Sequence, residues 1–132
     1  MGRKGSLLAI LAFGVGLAAT GACSQEGRSQ WQRPRPDVSD ASYGPHERNV
    51  LDLWKAKADA PTPLVVYFHG GGFRSGDKVN IPTPFLRECL SAGISVASAN
   101  YRLSQHAPFP APMLDGVRAI QYLRSRAKEW NI

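Results

Sequence analysis

The 132-residue sequence is short of several things at once. It has two cysteines, Cys23 and Cys89, so no disulfide framework can organise it. Its longest apolar stretch, Leu7 to Ala19, falls short of the roughly 20 residues needed to span hydrocarbon, which excludes a polytopic membrane protein. No internal repeat is visible, and no stripe of basic residues interleaved with aromatics, so a nucleic-acid surface is not expected. Neither composition nor motif calls for a metal or a cofactor. Gly and Pro, at 13 and 10, are only mildly frequent, which fits one small globular domain.

What is present begins with an export signal. Arg3 and Lys4 precede the apolar run, and Thr20-Gly21-Ala22 leads into Cys23. Residues 1–22 read as a signal peptide, with Thr-Gly-Ala-Cys resembling a bacterial lipobox that would acylate Cys23. Ordinary cleavage after Ala22 is the other reading. The expected location is the periplasm or outer membrane as a lipoprotein, otherwise secretion, with any membrane association through the N-terminal lipid. Removing residues 1–22 takes away two basic residues and no acid, so the net charge falls from +6 to +4.

Residues 23–45 are rich in Gln, Arg, Ser and Pro around Arg33-Pro34-Arg35-Pro36, and read as a flexible linker. Trp31 is the one large apolar residue before its end and reads as an exposed aromatic. Residues 46–132 read as the folded domain. Within Asn49 to Lys55, Leu51 and Leu53 alternate with Asp52, the period of a strand with one buried face. Leu64 to Phe68 is a continuous apolar run, as in a strand covered on both faces. Thr83-Pro84 predicts a helix start and Gly93 its stop, with Leu86, Cys89 and Leu90 on one face. Ile94 to Ala99 is a further buried strand, which makes 64–99 a strand–helix–strand unit with a parallel pair. A last helix starts between Pro112 and Asp115 and runs to Trp130, burying Gly116, Ala119, Ile120, Leu123, Ala127 and Trp130.

Chemistry concentrates between His69 and Pro82. His69-Gly70-Gly71-Gly72 follows directly on a buried strand, and glycines lacking Cβ let backbone N–H groups approach a bound anion. Together with Phe73, with Ser75-Gly76-Asp77-Lys78, with Asn100-Tyr101-Arg102-Leu103, and with Phe109-Pro110-Ala111 ahead of Asp115, this motif resembles the esterases and lipases of the α/β-hydrolase fold. It is most similar to the hormone-sensitive-lipase-like and bacterial feruloyl-esterase-like carboxylesterases.

That resemblance implies an α/β fold, a partial α/β-hydrolase with a mostly parallel sheet and flanking helices. It also implies that Gly71 and Gly72 are oxyanion-hole donors through their N–H groups, and that His69 braces the loop and is not a base. Asp77 and Lys78 read as loop-fixing residues and Asp115 as a helix-start residue.

The family's nucleophile sits in G-x-S-x-G, and no such pentapeptide occurs. Cys89-Leu90-Ser91-Ala92-Gly93 has Cys for the first Gly and lies at a predicted helix end, so Ser91 is not a nucleophile candidate. His46 and His106 read as loop histidines. No nucleophile, acid or base is assigned in this chain. The expectation is an N-terminal portion that stops before the nucleophile elbow, belonging to an exported serine esterase that acts on small-molecule esters. The alternative is a non-catalytic, envelope-anchored module binding small anions. A phosphate loop at Gly71, Gly76 and Lys78 fails because Asp77 intrudes and Val79 replaces the Ser/Thr that would hold Mg²⁺.

Overall fold

The computed structural model describes residues 32–132; the signal segment 1–22, Cys23 and Trp31 lie outside the described residues. Four strands, β1 (Val38–Ser42), β2 (Val50–Trp54), β3 (Leu64–Phe68) and β4 (Ser95–Ala99), form one sheet in the order β1-β2-β4-β3. Two helices accompany it, α1 (Thr83–Ser91) and α2 (Ala111–Trp130), with a 3-10 turn over Lys78–Asn80.

The sheet is mixed, which corrects the expectation of a mostly parallel one. β1–β2 and β2–β4 are antiparallel, and only β3–β4 is parallel, with Leu64 opposite Ser95 and Phe68 opposite Ala99. Local chain geometry accounts for β1–β2 and β3–β4, whereas β2–β4 joins segments far apart in the chain. A short turn from Tyr43 to Asn49 can join only antiparallel neighbours, whereas the long connection carrying α1 returns the chain parallel. Tyr43 N–H donates to the Asn49 carbonyl at 2.8 Å and Asn49 N–H to the His46 carbonyl at 2.7 Å, closing that turn.

β1 also occupies part of the segment expected to be a linker. Its side chains gave no signal, because only Val38 and Ala41 pack against the core; its backbone pairing with β2 holds it. The register shifts between Val38 and Ala41, where Asp40 takes a φ of 51° and its N–H donates to the Asp52 carboxylate at 2.9 Å. Asp tolerates that left-handed conformation better than most residues.

Alternation along the strands sorts the core into two layers. Leu51, Leu53, Ala97 and Ala99 face one way and pack with Ala119, Leu123 and Trp130 of α2. Trp54 and Val96 face the other way and pack with Ile81 and Leu86, and Cys89 is half-buried against that cluster. Full burial of each leucine contributes about 2 kcal/mol.

Asp52 departs from the one-sided pattern expected of β2, since it is buried as well, paired with Lys78. β3 is half-buried along its length and forms the edge of the described sheet, so it is not the doubly covered strand that its apolar run suggested.

The helix boundaries lie close to those expected. Pro82 caps α1, Thr83 opens it, and Gly93 follows its end at a φ of 77°. α2 ends on Asn131, in the left-handed region at a φ of 59°. Ile120, expected in the buried arc of α2, is 37% exposed. Among the described residues no helix is long and apolar enough to cross a membrane.

Candidate active site

Parallel pairing of β3 and β4 brings their C-terminal ends side by side, so His69 and Tyr101 leave the sheet as neighbours. Their rings stack with centroids 4.4 Å apart, and the Tyr101 hydroxyl donates to the His69 carbonyl at 2.6 Å. Burial pushes the Tyr101 phenol up, against the opposing pull of Arg48, so it remains a donor at neutral pH. His69 is 3% exposed, with Nδ1 2.8 Å from the Gly70 carbonyl oxygen and Nε2 3.3 Å from Arg48 Nη2.

Beyond His69 the chain bends through Gly71 at a φ of 120°, Gly72 at 59° and Phe73 at 60°. The Gly71 carbonyl accepts from Arg74 N–H at 3.0 Å and Ser75 N–H at 3.2 Å, which closes the bend on itself. A Cβ at Gly71 would sit 2.2 Å from the Ser75 carbonyl oxygen, and one at Gly76 would sit 2.3 Å from His69 Nδ1. Above Gly70 and Gly72 there is open space. The loop glycines therefore divide into two that permit tight packing and two that leave a bare backbone surface.

Among the described residues, the Gly71 and Gly72 N–H groups donate to no protein acceptor. Gly70 and Gly72 border a cleft of about 420 Å³, whose walls include Phe68, Phe73, Tyr101 and Val117. A smaller cleft of about 230 Å³, bordered by Phe109 and Met113, also reaches Gly72. Gly72 borders both of these clefts and Gly71 neither. An unpartnered amide beside an apolar cleft can receive a carboxylate or the developing oxyanion of an attacked carbonyl.

Residues behind the loop hold it in place. Asp77 caps the 3-10 turn through Val79 N–H at 3.0 Å and accepts from Asn100 Nδ2 at 2.8 Å. Burial works to raise the Asp77 carboxyl, but those bonds, with Lys78 and Arg48 nearby, leave it below its ordinary value. Lys78 Nζ reaches Asp52 at 2.7 Å and Asp40 at 3.0 Å. Burial alone would lower the Lys78 ammonium; the two carboxylates reverse this and keep it charged.

Asp115 is not a helix-start residue, as its position after Pro112 suggested. It lies in the second turn of α2, fully buried, and accepts from Arg102 Nε at 2.8 Å and Nη2 at 2.7 Å. Ser91 is exposed at the last position of α1. His46 and His106 lie together, ring centroids 5.1 Å apart. Their Nδ1 atoms accept from Arg48 N–H at 3.1 Å and Leu103 N–H at 3.0 Å. Among the described residues no group of three or more His, Cys, Asp and Glu gathers as a metal site.

Comparison with known proteins gives this arrangement its family. The family model BD-FAE matches residues 51–132, from β2 to the end of the sequence. The chain belongs to the BD-FAE family of α/β-hydrolase esterases. This BD-FAE chain is similar to the carboxylic ester hydrolase LipN of Mycobacterium tuberculosis, at 32% identity over 94 residues. The alignment covers 70% of the chain and 25% of LipN.

An esterase of Gibberella moniliformis is 28% identical over 95 residues, covering 70% of the chain and 29% of that protein. Among solved structures, a truncated carbohydrate esterase from gut microbiota superposes with a TM-score of 0.62 at 26% identity. That match covers 72% of the BD-FAE chain and 35% of the other. The chain thus spans less than a third of the length of these two curated relatives.

Sequence reasoning named the glycines and His69 but not Arg48. Tyr101 had a readable signal, since it follows a buried strand parallel to the one that precedes His69. Arg48 had none, lying in the β1–β2 turn, 21 positions before His69.

Proposed function

We propose that this chain supplies the oxyanion side of a serine carboxylesterase acting on small-molecule carboxylic esters. Gly71 and Gly72 N–H groups would receive the carbonyl oxygen as it becomes negative, and His69 would hold the bend from behind. The observation that carries this reading is the pair of unpartnered amides at positive φ in a bend whose Gly72 borders an apolar cleft. Stabilisation by one such donor is worth about 3 kcal/mol in acyl transfer.

The nucleophile, acid and base are not assigned to any of these 132 residues, because the sequence has no G-x-S-x-G. The chain by itself is therefore expected to bind a carboxylate product but not to turn over an ester. An amide-resolved NMR titration of the chain with butyrate checks the first half. The Gly71 and Gly72 amide protons should move downfield together, and unmoved resonances would end the oxyanion reading. Incubation with p-nitrophenyl butyrate checks the second half, with no nitrophenolate released above buffer; turnover that survives purification would show that a nucleophile had been overlooked.

Export belongs to the same proposal. Residues 1–22 would direct the chain out of the cytoplasm and Cys23 would carry lipid in the periplasm or outer membrane. Palmitate labelling in a bacterial host should give a labelled band that Cys23→Ala abolishes. A band labelled equally in that variant would remove the lipoprotein assignment and leave plain secretion.

A further inference from the structure

We propose that Arg48 is a positioning residue for the oxyanion loop: its guanidinium donates to His69 Nε2 and fixes the imidazole as the neutral Nδ1–H tautomer, which pins the bend at Gly70. The assignment rests on what each partner is able to do. A guanidinium carries donors and no acceptor, so its Nη2, 3.3 Å from His69 Nε2, requires a lone pair on that nitrogen. A carbonyl oxygen carries no proton, so the Gly70 oxygen, 2.8 Å from Nδ1, requires a proton there. The two requirements come from different neighbours and select the same tautomer. An imidazolium would set an N–H against the guanidinium and is excluded by the first of them.

The remaining contacts of Arg48 explain why arginine occupies this place. Nη2 also donates to the Gly76 carbonyl at 2.9 Å, and Nε donates to the Tyr101 carbonyl at 2.9 Å. One rigid fork therefore joins both ends of the glycine loop to the exit of β4, a span that a lysine ammonium cannot reproduce. Asp77, 4.0 Å from Nη1, is the acidic group that faces the guanidinium. Tyr101 fixes the plane of the His69 ring by stacking at an interplanar angle of 15°.

The molecule carries its own control. His46 and His106 each accept a backbone N–H at Nδ1, so when neutral they are the opposite, Nε2–H tautomer. The tautomer assignment stands without the proposed function. The effect on anion binding rests on it.

Long-range ¹H–¹⁵N correlation of the imidazole rings in the full chain, at mildly alkaline pH, tests the proposal. His69 should show a pyrrole-type Nδ1 and a pyridine-type Nε2, the reverse of His46 and His106. An Nε2–H or imidazolium signature at His69 overturns it. In Arg48→Met, the Gly70 carbonyl still selects Nδ1–H, but the His69 Nε2 resonance should move downfield toward that of an unbonded pyridine-type nitrogen, and butyrate affinity at the Gly71 and Gly72 amides should fall about tenfold, the scale of one charge-assisted hydrogen bond. Arg48→Lys should restore neither, and it is the variant to read if the methionine chain fails to fold. A His69 Nε2 resonance and a butyrate affinity both unchanged in the folded variant overturn the role of Arg48. If the Nε2 resonance depends on Arg48 while butyrate leaves both glycine amides unmoved in the parent chain, this assignment holds and the oxyanion reading is the one that fails.

Discussion

Gly71 and Gly72 are adjacent and identical in the sequence, yet their surroundings make them respond differently to a methyl group. Ala at Gly71 would force its Cβ into the Ser75 carbonyl oxygen at a φ of 120°. Overpacking and backbone strain together should cost about 3 kcal/mol, read as a lowered urea midpoint. At Gly72 the new methyl meets open space and only the φ of 59° opposes it, a cost of about 1 kcal/mol. Gly72→Ala should consequently remain folded while weakening butyrate binding, because the methyl enters the space an anion would use. Equal destabilisation by both substitutions would contradict the division of the loop into packing and bare glycines. Composition announced that the loop is special. Which glycine does what depends on Ser75 and His69 folding back against it, and no spacing rule encodes that.

At the scale of elements, Asp115 ties α2 to the chain leaving β4. Burial acts to raise its carboxyl, and the Arg102 bonds overcome this and hold it below the ordinary carboxylate value. A depressed folded value means the contribution is present above the unfolded value, near 4, and is lost as pH falls through the folded one. Unfolding free energy should therefore decline with acidification below about pH 4, and Asp115→Asn should flatten that decline while costing about 3 kcal/mol at neutral pH. Denaturant melts of both chains between pH 3 and 7 check this; parallel acid limbs would relocate the effect to another carboxylate.

β2, β4, α1 and α2 were legible because apolar periodicity or length marks each of them. β1 was not, since a strand held mostly by backbone pairing leaves little trace in its side chains. Asp52 and Asp115 look like ordinary solvent-facing acids in the sequence, and only their partners 26 and 13 residues away bury them.

For the whole molecule, the position of β3 matters most. Its backbone pairs with β4 on one side and with no other described strand, although its five residues are all apolar. Open apolar edges recruit other strands. The chain should accordingly self-associate with rising concentration, and Val65→Lys, at a half-buried position outside both core clusters, should shift sedimentation toward the monomer. Unchanged association in that variant would place the contact elsewhere, for example on the exposed Leu114 and Val117 of α2. The family resemblance was legible in one loop and its flanks. The sheet's mixed character, by contrast, followed from pairings across the chain.

The clamps on either side of the glycine bend bear on how tightly a ligand can be held. Arg48 comes from the β1–β2 turn and Lys78 reaches into the sheet at Asp52, so the bend is already fixed before anything arrives. A visiting carboxylate then forfeits its own freedom of motion and little of the host's, and the favourable part of the encounter is not consumed in shaping the receptor.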